Sequence, residues 1–191
     1  MTNVHRFRRA DLLAQPWKNG GGLTREIVSW PPGSGVTDFD WRVSIAHIAS
    51  SGPFSAFPGV DRVITLLEGA GVALHSVDGT VNHRLDQPLQ PFGFAGELKM
   101  QAGLLGADCH DFNVMARRSA CSASVRVLSS AAHLPQQSHG LLLACRGQWN
   151  ANGHVLSAEE GLWWHEEPCA WALTAQDEDA TMIAVLIQLL R

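Results

Sequence analysis

The chain has 191 residues, a length that suits one domain or two fused small halves and that can bury a core without disulfide staples. Hydrophobic residues make up 46% and charged residues 17%, which excludes a disordered chain, and a net charge of −4 without a basic block excludes nucleic acid as the expected partner. The 18 Gly and 9 Pro beside 7 Trp and no Tyr point to many turns and an all-β protein.

Met1 to Trp17 is polar, basic at Arg6, Arg8 and Arg9, and lacks the apolar run of a signal peptide. The longest apolar stretch, Met182 to Leu190, is broken by Gln188 and too short to cross a bilayer, so a cytoplasmic protein without a membrane partner is expected. Arg9 to Gln15 reads as a single helical turn. Gly20-Gly21-Gly22, after Trp17-Lys18-Asn19, reads either as a tight bend or bulge, or as a nest of backbone N–H groups holding an anion. A strand follows from Thr24 to Ser29.

Between Asp38 and Ile48 the residues Trp41, Val43, Ile45 and His47 alternate with Arg42, Ser44, Ala46 and Ile48, the period of a strand. Val60 to Leu67 is a second strand. Val72 to Val77 and Val81 to Leu85 flank Asp78-Gly79-Thr80, a hairpin signal. Strands continue at Asp108 to Arg117, Ser124 to Leu128, Gly140 to Cys145, Gly161 to His165, Trp171 to Thr174 and Ala180 to Leu190, with one further helical turn expected at Ser129 to Leu134.

The order of features repeats. Leu66-Leu67-Glu68-Gly69, a hairpin at Gly79 and the aromatic segment Pro91 to Phe94 are echoed by Leu141 to Gly147, the turn Asn152-Gly153 and Gly161-Leu162-Trp163-Trp164. Two similar β-units are expected, residues 1–118 and 119–191, each closing into a barrel or sandwich.

Several chemistries fail on spacing. The 9 His include no H-x-H and no H-E-x-x-H pair, and His165-Glu166-Glu167-Pro168-Cys169 imitates zinc-deaminase fragments but has Ala172 where the second thiol belongs. Cys109-His110-Asp111 cannot form one nucleophilic constellation because strand neighbours point to opposite faces. The 4 Cys are widely spaced and read as reduced, structural thiols. In Asp111 to Arg117, Phe112, Val114 and Ala116 form an apolar face, and Asp111, Asn113, Met115 and Arg117 form a face that is either solvated or lines a barrel lumen. Arg42 and Ser44 share that ambiguity.

Five blocks carry a resemblance: Pro16 to Ile27, Trp41 to Ala46, Gly52 to Arg62 with Leu66 to Gly69, Pro91 to Glu97, and Asp111 to Met115. Together they resemble the HutD/Ves family of the cupin superfamily, most closely over residues 16–118. The resemblance implies a bicupin, two β-barrel halves in one chain. For HutD members it also implies an association with histidine degradation through urocanate, limiting pathway flux. Ves-type members are linked to cold stress.

Set against the metal motifs of cupins, the sequence places Arg62 at the glutamate position, Phe57 or Pro58 and Ser55 or Ala56 at the first histidines, and Gly96 at the last. No metal and no cofactor is expected. Arg62 instead suits an anion, because its planar fork matches a carboxylate, although an ion pair of Arg62 with Asp61 or Glu68 is an equal alternative.

The leading expectation is a regulatory cupin whose N-terminal lumen binds a small carboxylate such as urocanate or a formylated or formiminated glutamate. Arg62 would be the anchor, Arg42, Ser44, Asn113 and Glu97 would orient the ligand, and Phe54, Phe57, Phe94 and Trp41 would supply aromatic walls, unless these rings are ordinary core. The alternative is a metal-independent isomerase, epimerase or lyase with His47 and Glu97 as bases and Asp111 as acid or orienter. A Ves-like stress-response protein is a further option, as is an interaction module built on Trp163 and Trp164. A homodimer is the oligomer expected of paired cupin sheets.

Overall fold

The computed structural model of the chain describes residues 3–190. Apart from one 3₁₀ turn at Arg9–Asp11, every regular element among them is a strand, and no described helix is long and apolar enough to cross a membrane. The strands form four sheets in two compact units, one of residues 13–121 and one of residues 3–12 with 122–190.

In the unit of residues 13–121, a six-stranded sheet runs in the order Ala14–Pro16, Gly22–Trp30, Trp41–Ile48, Cys109–Arg117, Val60–Gly69, Pro91–Ala95. A four-stranded sheet runs Gly52–Pro53, Met100–Leu104, Val72–Ser76, Asn82–Leu85. Inward residues of both, among them Ile48, Ile64 and Leu66 from the first and Val72, Leu74, Leu85 and Met100 from the second, share one core. The central strand Cys109–Arg117 pairs antiparallel on both sides, with Met115 opposite both Arg42 and Arg62 and Asn113 opposite Ser44. Since paired residues lie on one face of a sheet, Arg42, Ser44, Arg62, Asp111 and Asn113 all project to the side of that core. The polar face is therefore interior, and Trp41–Ile48 is buried at every position but His47.

The other unit repeats the plan. Its five-stranded sheet runs Val4–Arg8, Glu160–Trp164, His139–Arg146, Thr181–Leu189, Cys121–Leu128, and its four-stranded sheet runs Ala132–Gln137, Cys169–Ala175, Trp149–Ala151, His154–Leu156. Leu142, Leu162, Trp164, Met182 and Ala184 meet Trp149, Trp171 and Leu173 in its core. In both units a long strand pairs with the aromatic one, Val60–Gly69 with Pro91–Ala95 and His139–Arg146 with Glu160–Trp164, and the two short strands between them pair in the smaller sheet. The repeated order of features is thus a repeated order of pairings.

Three expectations change. Residues 3–12 sit with the C-terminal unit, because Val4–Arg8 is a strand paired with Glu160–Trp164. Arg6 and Arg8 both reach Glu160, and a Cβ on Gly161 would come within 2.4 Å of the Phe7 ring, so only glycine admits this strand. The expected turn of Arg9 to Gln15 shrinks to Arg9–Asp11 and gives way to the strand Ala14–Pro16. Ser129 to Leu134 is not helical; Ala132–Gln137 is a strand whose hydrogen bonds go to Cys169–Ala175, a partner no local pattern reveals.

Candidate lumen site of the unit of residues 13–121

Arg62 lies on Val60–Gly69 and is only 7% exposed. Its guanidinium carbon sits 5.4, 5.5 and 5.1 Å from the ring centres of Phe54, Phe57 and Phe94, so three aromatic faces surround the cation. Nη1 donates to the Ser55 carbonyl at 3.3 Å and Nη2 to Asn113 Oδ1 at 3.4 Å, both long, while Nε is buried without a partner. The two acids suggested as its partners are elsewhere: Asp61 accepts from Arg118 at 2.6 Å and Glu68 faces His110 at 3.3 Å. Burial pushes the Arg62 pKa down to about 10, with Asp111 opposing the shift and Arg42 adding to it.

Arg42 is held differently. Its Nε donates to Glu26 Oε2 at 2.6 Å, across the pairing of Gly22–Trp30 with Trp41–Ile48, so its charge is matched. Asp111 is 2% exposed, and its Oδ1 has no hydrogen-bond partner. Burial raises its pKa to about 6 against the pull of Arg62 and of a backbone hydrogen bond at Ala46.

Of the residues expected at the site, the fold brings together Arg62, Arg42, Ser44, Asn113, Phe54, Phe57 and Phe94. Glu97 is not among them: it lies beyond the end of Pro91–Ala95, with its side chain 44% exposed and bonded to Arg118. Trp41 occupies the opposite face of its strand and stacks on Trp30. His47 also faces away from the lumen, sharing 2.6 Å with Asp108 Oδ2 and stacking on His110 at 4.7 Å. The acid/base set of His47, Glu97 and Asp111 is therefore never assembled on one face. Glu26 was missed by sequence reasoning, although it stands in the same block as the glycine run.

That run forms a tight turn, not an anion nest. Gly20 N–H donates to the Trp17 carbonyl and Gly21 N–H to Asn19 Oδ1, at 3.0 Å each, so the amides are spent internally. A Cβ on Gly22 would fall 2.2 Å from the His47 carbonyl and 3.2 Å from the Trp17 ring. The turn sets Trp17, whose Nε1 donates to Thr24 Oγ1 at 2.8 Å, into the wall of a pocket of about 210 Å³. Ile48 and Phe54 also line this pocket, so Phe54 belongs to both the pocket wall and the Arg62 cage.

The donor set does not fit the metal that cupins commonly hold. Where the motif calls for a carboxylate ligand the strand presents a guanidinium, which repels a cation, and among the described residues no group of three or more His, Cys, Asp or Glu can hold a metal ion.

Comparison with known proteins identifies the family and the fold. The HutD family model matches residues 9–183. Protein Ves of Cronobacter sakazakii is 44% identical over 151 residues, covering 78% of this chain and 81% of that protein. Among solved structures, HutD from Pseudomonas fluorescens SBW25, determined in a formate condition, superposes with a TM-score of 0.87 at 29% identity over 98% of this chain and 100% of that one. A conserved protein of unknown function from Pseudomonas aeruginosa PAO1 superposes with a TM-score of 0.86 at 32% identity, again over 98% of this chain and 100% of that one. The fold is shared with a cupin 2 conserved barrel domain protein from Leptotrichia buccalis, 9% identical with a TM-score of 0.61 over 96% of each chain. An all-β chain with this match along most of its length belongs to the HutD/Ves family of the cupin fold.

Proposed function

We propose that this protein is a carboxylate-binding, regulatory cupin acting in histidine degradation, with the lumen around Arg62 as its ligand site. The observation that carries this reading is a buried guanidinium caged by three phenylalanines whose Nε has no acceptor. A buried guanidinium with an unsatisfied N–H is costly, and a carboxylate brings a bidentate acceptor matched to that fork. Arg42 does not compete, because Glu26 already holds it. The aromatic walls suit a planar, conjugated acid, which makes urocanate the leading occupant and formylated or formiminated glutamate the next.

Thermal-shift and calorimetric titration with formate, urocanate and N-formylglutamate test the proposal. At least one should raise the unfolding temperature of the wild-type protein, and Arg62→Met should weaken its binding by about a hundredfold, as for loss of a buried charge-assisted pair. Equal binding by a folded Arg62→Met variant would remove Arg62 as the anchor.

A further inference from the structure

The charges of the lumen balance without a ligand. Arg42 and Arg62 contribute two positive charges, and Glu26 and an ionised Asp111 two negative ones. Two further titratable groups face this interior. Cys109, on the strand of Asp111, is a thiol pushed up to about 11 by burial, and His83 lies half-buried in the smaller sheet, stacked on Phe92. His75 and Arg84 of that sheet are exposed, as is Lys99 beside it.

A carboxylate entering at Arg62 would leave one uncompensated negative charge in a place where water cannot screen it. Glu26 cannot relieve it, because it is tied to Arg42 and reaches solvent. Asp111 can: it is 2% exposed, its Oδ1 has no partner, and it acts electrostatically on the same guanidinium.

We propose that carboxylate binding at Arg62 is coupled to uptake of a proton by Asp111, so that the lumen holds the ligand's carboxylate beside a neutral carboxylic acid. The inference rests on the carboxylate-site reading given above. The proton comes from solvent, one O–H bond forms on Asp111, and the ligand enters as its anion with no bond broken. Neutral Asp111 no longer opposes the incoming anion, and the occupancy of the site responds to pH. Asp111 is already poised for this step, since burial holds its pKa at about 6 even against the pull of Arg62.

Calorimetry of the full chain with formate, in two buffers of different ionisation enthalpy, reads the proton directly. About one proton should be taken up per formate bound at pH 7.5, and affinity should fall nearly tenfold between pH 6.5 and 7.5. Asp111→Asn, which stays neutral, should bind formate with a flat pH profile and no proton uptake. Formate binding by the wild-type protein without proton uptake, or an Asp111→Asn variant that keeps the pH slope, would overturn this inference and leave the carboxylate site standing. Absence of binding by the wild-type protein at any pH would overturn both. Proton uptake is measured on the wild-type protein, so the inference remains testable even if the variant does not fold.

Discussion

Arg62 is placed where a guanidinium loses most of its hydration, and the contacts around it return only part of that loss. Two long hydrogen bonds and three ring faces do not replace the water shell. Removing one member of a buried charge pair leaves the other uncompensated unless it takes up a proton. Arg62→Met should therefore lower the unfolding temperature at pH 7.5, and less so at pH 5, where Asp111 is neutral, as calorimetric melting would show. It should also raise the Asp111 pKa above its value of about 6, because it removes the cation that lowers it; carboxyl-carbon NMR titration reads this shift.

Glu160 shows the opposite use of charge. It accepts from Arg6 and Arg8 at 2.6 Å each and from the Ser157 amide at 3.0 Å, and the Arg8 bond leads the causes that hold its pKa at about 2. A carboxyl depressed in the folded state contributes stability above its ordinary titration range and loses it as pH falls toward 2. Discounted for the solvent around both arginines, the contribution is on the order of 1 kcal/mol. Glu160→Gln should lower the urea midpoint at pH 7, and the gap to wild type should shrink at pH 3.

Among residues, sequence reasoning reaches those whose role follows from strand alternation. Arg42, Ser44 and Asn113 lie at even spacings on strands, and Arg62 stands at the glutamate position of the cupin metal motif. Glu97 escaped because it follows the strand, where alternation no longer says which way a side chain points. Glu26 escaped because a bulge between Glu26 and Val28 breaks the period of its strand.

At the scale of elements, hairpins were the most legible feature and sheet partners the least. Gly79 and Asn152-Gly153 take the positive φ that their turns require, at 75°, 48° and 90°. The two turns differ in what they hold. Asp78 bonds within its own hairpin, to Ser76 and Thr80, whereas Asn152 donates from Nδ2 to the Ala170 carbonyl on another strand at 2.7 Å and accepts at Oδ1 from Ala172 N–H at 2.8 Å. Asn152→Ala should therefore cost about 2 kcal/mol in denaturant unfolding, more than Asp78→Ala does. Gly22→Ala should be destabilising by about 1–3 kcal/mol, since the new methyl meets the His47 backbone at 2.2 Å. The strand Ala132–Gln137 was illegible because its own residues lack a clear period, and only its pairing with Cys169–Ala175 makes it a strand.

At the scale of the whole molecule, the repeat in the sequence identified two units of one plan, but their boundary could not be drawn from it. The first strand lies next in sequence to one unit and in hydrogen bonding to the other. Deleting residues 1–11 should expose the edge of Glu160–Trp164 and strip Glu160 of both arginines. Faster amide exchange in residues 160–164, with protection in the six-stranded sheet unchanged, would show it.

The same arrangement sets an order of events during synthesis. Residues 13–121 are continuous and can fold as soon as they leave the ribosome, whereas Val4–Arg8, made before them, must wait for Glu160–Trp164, made more than a hundred residues later. A strand synthesised ahead of that unit is thus paired only after the unit is complete. Until then its unpaired backbone is the segment a chaperone would meet.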